Sequence, residues 1–135
     1  SGARTIALLD VAPGPNVTVV ARMSDSALGT APRAGVLVRT NADPDGSACS
    51  VDLDDGGSSV FRVEDGVPQA PITSGSGPSP PATFNVTGSA LGSNLQCQAT
   101  GPAVNGTIPA GSGGAGLIVE DATVEISWVI VYASP

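Results

Sequence analysis

Apolar residues in this chain recur at a period of two, in short runs. Glycine or proline interrupts every run before a helical spacing can develop. No window longer than ten residues keeps apolar positions three or four apart without a Gly or Pro. Alternation at two residues places one side-chain set on each face of a strand, and β-branched runs between turn clusters read as an all-β chain. The expected strands are Arg4–Val11, Asn16–Met23, Gly35–Thr40, Ala48–Asp54, Ser58–Glu64, Ala82–Thr87, Asn94–Ala99, Val104–Ile108 and Thr123–Tyr132, with a short further piece at Gly116–Glu120. About eight or nine strands suit an antiparallel β-sandwich of jelly-roll or Greek-key type, with an up-and-down barrel as the second choice. Residues 1–135 are expected to form a single domain. The Pro-rich stretch at 68–81 and the Gly-rich stretch at 109–116 read as two long surface loops. The sequence begins at Ser1 without a charged-then-apolar leader, so removal of a preceding segment is the expectation.

The alternation also assigns faces to the two cysteines. In Ala48–Asp54, Cys49, Val51 and Leu53 share one face, while Ser50, Asp52 and Asp54 share the other. In Asn94–Ala99, Leu95, Cys97 and Ala99 face one way and Gln96 and Gln98 the other. Both cysteines are therefore expected on inward faces, either bridged or as two buried thiols.

Composition narrows the chemistry. The chain has no Lys and no His, and its five basic residues are all Arg. A Ser-His-Asp or Cys-His centre, a Schiff-base lysine, a P-loop and a histidine metal site are all excluded. Twelve carboxylates give a net charge of −7. That sign repels phosphate backbones and anionic lipid, so neither nucleic acid nor membrane insertion is expected. No apolar run approaches the length of a membrane span.

Asp43, Asp45, Asp54 and Asp55, with Asp52 between the pairs, are the densest run of oxygen ligands and the candidate site for weakly held calcium. Asp43-Pro44-Asp45-Gly46 resembles the opening of a calcium loop. Ser47 follows where another ligand is wanted, and no Glu stands at the twelfth place, so the competing reading is a turn built by Asp, Pro and Gly. No other cofactor is expected. A glycosidase pair drawn from the same carboxylates ranks last among the functions, because a sugar site usually adds aromatics and this chain has one Trp, one Tyr and two Phe. Asn16, Asn85 and Asn105 each open an Asn-x-Thr sequence and are candidate glycosylation acceptors.

The final strand carries the functional expectation. Val124, Ile126, Trp128, Ile130 and Tyr132 line one face, read as core. If that face were exposed instead, Trp128 and Tyr132 would stand about 13 Å apart, a spacing suited to alternate sugars of a chain. Val129 and Val131 make the opposite face apolar too, which suggests an interface with another subunit. The leading expectation is a non-enzymatic assembly module on an exterior surface: a virion capsid protrusion, decoration or spike domain, or a surface-filament subunit. It would self-associate or dock on a larger capsid or filament body. The alternative is a secreted glycan- or ligand-binding sandwich that uses its loops. Either places the protein outside the cell or on a virion.

Overall fold

A computed structural model describes residues 4–43 and 45–133. Among them there are nine strands and no helix: β1 (Arg4–Gly14), β2 (Val17–Thr40), β3 (Gly46–Asp52), β4 (Ser58–Glu64), β5 (Val67–Gly75), β6 (Thr83–Leu91), β7 (Asn94–Gln98), β8 (Val104–Thr107) and β9 (Gly113–Ala133). Every pairing is antiparallel. The all-β sandwich expected from the alternation is the observed architecture.

Two long strands organise it. The first half of β2 pairs with β6 and with the second half of β9. The second half of β2 pairs with β3 and with the first half of β9. The β2–β9 ribbon thus runs through both layers. One layer reads β1–β9–β2–β3–β4–β5, the other β9–β2–β6–β7–β8. The corner lies where residues 29–32 of β2 are opposed by Asp121 alone. Asp121 adopts a left-handed φ of 52° there. Its Oδ2 accepts from the Ala31 amide at 2.8 Å and from the Thr30 hydroxyl at 3.2 Å. A short polar side chain that bonds locally suits that backbone conformation.

Between the layers sits the main core: Val17, Val19, Ala21 and Met23 from β2, Cys49 and Val51 from β3, Val60 from β4, and Phe84, Val86, Leu95 and Cys97 from β6 and β7. The disulfide Cys49–Cys97 crosses this core and joins β3 of one layer to β7 of the other. A second, smaller cluster lies on the other face of the first layer, formed by Leu37, Ala48, Phe61, Val63 and Ile118 with half-buried Ile6.

Three expectations change. The stretch 68–81 is not one loop, because residues 67–75 form β5 against β4. Its prolines are tolerated because β5 is an edge strand, where a missing N–H costs no ladder bond. The second half of the stretch 109–116 is strand, since β9 begins at Gly113. The glycines there reflect close approach: a Cβ on Gly116 would lie 2.7 Å from the Ala7 carbonyl oxygen, and one on Gly113 would lie 2.7 Å from that of Thr40.

The third change concerns the last strand. Arg22 pairs with Trp128, but Met23 pairs with Ile126, so Ser127 is the extra residue of a β-bulge. One inserted residue turns every later side chain to the opposite face. Val124 and Ile126 pack on the core before the bulge, and Val129 and Val131 pack on it afterwards. Val129 and Val131 are therefore half-buried against their own domain rather than offered to a partner. Trp128, Ile130 and Tyr132, expected inside, face solvent with 39%, 51% and 51% of their surface exposed.

Candidate functional site

The acidic residues proposed for calcium are not brought together. Asp43 and Asp45 lie in the β2–β3 turn and Asp54 and Asp55 in the β3–β4 turn, at opposite ends of β3. Each group spends its carboxylates or amides on turns, its own or, for Asp45, the β4–β5 turn as well. Asp45 accepts from the Asp65 amide at 2.7 Å and from Asn41 Nδ2 at 3.3 Å, which holds its carboxyl below the usual range. The amides of Asp54 and Asp55 donate to Asp52 Oδ1, and the Gly57 amide donates to Asp55 Oδ1. No group of three or more metal-ligating side chains occurs among the described residues.

The three Asn-x-Thr asparagines each accept a hydrogen bond: Asn16 from the Gly92 amide, Asn85 from Arg22 Nη1 and Asn105 from Asn94 Nδ2. Asn85 and Asn105 are exposed on the outer face of the second layer, and Asn16 is half-buried near its edge.

The feature missed in the sequence is an open depression of about 620 Å³ on the outer face of the first layer. Register builds it. Gly35, Ser50, Ser59 and Ser74 stand side by side across β2, β3, β4 and β5. One row away, Glu120, Arg33 and Asp52 stand side by side across β9, β2 and β3. Small residues in the first row leave space, and charged residues in the second supply a wall. Arg33, Asp52, Asp55, Ser58, Ser59, Pro71 and Ser74 line the space.

Arg33 is held in two ways. Its Nε donates to Glu120 Oε1 in a half-buried ion pair. Its guanidinium carbon lies 4.1 Å from the centre of the Phe61 ring, so the plane stacks on the aromatic face. A guanidinium fixed by a carboxylate and an aromatic ring is a preorganised, directional donor. Across from it Asp52 keeps Oδ2 as an acceptor, its Oδ1 already taking the Asp54 and Asp55 amides, and Ser59 and Ser74 offer hydroxyls that both donate and accept. Ser58 Oγ, on the core side of β4 opposite Val51, is the one buried side-chain N or O among the described residues without a hydrogen-bond partner, and it is not presented to the depression. The arrangement is suited to a neutral ligand rich in hydroxyls. Paired donors and acceptors of this kind match the hydroxyls of such a ligand.

No protein-family model matches the chain, and no curated protein sequence matches it. Solved structures do. The carbohydrate-binding module CBM66 from Bacillus subtilis superposes with a TM-score of 0.84 at 17% identity, over 98% of this chain and 84% of that one. Xenopus laevis galectin-Ib gives a TM-score of 0.66 at 8% identity, over 96% of this chain and 100% of its own. The homodimeric agglutinin CG-16 from chicken liver gives 0.62 at 9% identity, over 96% and 99%. The shared property is the fold. At these identities no residue of a site is carried across, and the depression stands on its own geometry.

Proposed function

We propose that this protein is a non-catalytic glycan-binding β-sandwich that acts outside the cell. The Arg33–Glu120–Asp52 row above a floor of serines carries the reading, because it pairs fixed donors with fixed acceptors in an open, hydroxyl-sized relief. The likeness in fold to a carbohydrate-binding module and to two lectins favours this second sequence reading over the capsid or filament reading. The Cys49–Cys97 bridge fits an oxidising, extracellular setting.

The test is a glycan array followed by calorimetry on the best ligand, with Arg33→Lys beside the parent. Lysine keeps the charge and loses the planar fork. The expected result is a defined set of neutral sugars, bound about tenfold or more weakly by the variant, with an unchanged thermal midpoint. Equal affinity in parent and variant, or no sugar bound by the parent, would remove the depression as a glycan site.

A further inference from the structure

The bulge at Ser127 creates a second surface that the depression does not explain. On the outer face of the second layer, Trp128, Ile130 and Tyr132 form a stripe along β9. Large apolar side chains aligned at successive outward positions are unusual on a free surface. What lies beside them says which partner they fit.

Each stripe residue heads a row of hydrogen-bonding side chains. Trp128 is opposite Arg22, which is opposite Asn85. Ile130 heads a row that runs through Val20 to Thr87 and Gln98. Tyr132 heads the longest row, which runs through Thr18, Ser89 and Gln96 to Asn105. Five strands wide, that row spans about 19 Å. Several of these groups are already oriented: Arg22 Nη1 donates to Asn85 at 3.0 Å, and Thr18 and Ser89 share a hydrogen bond of 3.0 Å.

Charge narrows the partner further. In a chain of net charge −7, the three rows from Trp128 to Tyr132 hold one charged side chain, Arg22. Glu125 lies beyond them, opposite Ser24. An acidic or basic macromolecule finds little to pair with there. A second copy of this chain would want either an apolar patch several strands wide or a straight edge to extend. Here the apolar stripe reaches a second strand only at Val20, beside Ile130, and the β9 edge is bent by its own bulge, a device that blocks edge-to-edge pairing.

We infer that this face is a platform for an uncharged polysaccharide. The rings of Trp128 and Tyr132, about 13 Å apart, take the apolar C–H faces of sugars along one chain. The amide and hydroxyl rows take the ring hydroxyls beside it. This inference shares with the depression only the chemical class of ligand, and it rests on different residues.

The experiment is affinity electrophoresis and pull-down with cellulose, chitin, mannan and β-1,3-glucan. The parent is compared with Trp128→Ala, Tyr132→Ala and Arg33→Lys, and each protein's mass is measured by sedimentation. The platform variants remove exposed side chains, so the fold should survive, with far-ultraviolet dichroism and the thermal midpoint as the check. The expected result is retention of the parent on at least one polymer. Each platform variant should be retained about tenfold less, and binding of short oligosaccharides at the depression should be unchanged. Loss of polymer binding only in Arg33→Lys would assign that binding to the depression and overturn the platform. So would a parent that binds none of the four polymers, or platform variants retained as well as the parent. A parent dimer that Trp128→Ala converts to monomer would give the stripe to self-association instead.

Discussion

Reducing or deleting the Cys49–Cys97 bridge should cost this fold a large part of its stability. The bridge closes a loop with a sequence separation of 48 and ties β3 in one layer to β7 in the other. On the chain-entropy account, a loop of that length restrains the unfolded chain by about 4 kcal/mol. A domain of this kind is usually stable by about 5–15 kcal/mol, so the loss is a third or more of the total in most of that range. Near this chain length 1 kcal/mol moves the thermal midpoint by about 4 °C, which places the expected fall near ~16 °C. The assay is urea and thermal unfolding of the parent and of Cys49→Ala/Cys97→Ala. Both cysteines are fully buried, so the alanines also leave a small void in the main core. The parent measured with and without reductant separates that packing loss from the loss of the cross-link. A midpoint that falls by less than about 4 °C in both comparisons would refute the reasoning. It would mean that the two layers are already held together in the denatured ensemble without the bridge.

Arg39 is buried, and donates to the Pro15 carbonyl from Nε and Nη2 and to the Pro109 carbonyl from Nη1. Arg39→Met strands both acceptors and should lower the urea midpoint, at unchanged slope, by the equivalent of about 2 kcal/mol. Asp121 is held below the usual carboxylate range, first by the Ala31 amide and then by Thr30. A lowered folded value means that its contribution is complete above about pH 4 and is lost as pH falls through the folded value. Asp121→Asn keeps an acceptor without the charge, so its stability should change less than the parent's between pH 5 and pH 2 (approximate limits) in acid titration followed by dichroism. Expressed through a glycosylating secretory pathway, the protein should carry glycans at Asn85 or Asn105 in intact-mass spectra. A glycan there would sit on the platform rows and abolish polymer retention, while leaving oligosaccharide binding at the depression intact.

Local alternation was enough to place the core faces of β3 and β7. Cys49 and Val51, and Leu95 and Cys97, are fully buried, as a period of two requires. Alternation failed where the backbone departs from two. Nothing in the stretch Ile126-Ser127-Trp128 marks Ser127 as the extra residue, because a bulge is imposed by the partner strand's path. Proline in 68–81 was read as a loop because sequence does not say whether a strand lies at an edge. The depression was invisible for a different reason. Arg33, Asp52 and Glu120 are far apart in the chain, and only the β2–β3 and β2–β9 registers set them in one row. Asp52 was legible as a residue on the wet side of its strand. Its partners were not, because register between distant strands is a property of the sheet.

The β2–β9 ribbon carries both proposed surfaces. Arg33 and Arg22 lie on the same strand, and Glu120 and Trp128 lie on its neighbour. Each pair stands on the outward face of its layer, one on either side of the core. The Asp121 corner lies between them, where its carboxylate holds Thr30 and Ala31 as the ribbon passes from one layer to the other. Both surfaces are therefore built on paired strands rather than on loops, which keeps their side chains in register with little ordering cost on binding. Because they face away from each other across the sandwich, a short sugar cannot reach both. If both surfaces bind as proposed, two separate sugar chains would be held by one copy of the domain.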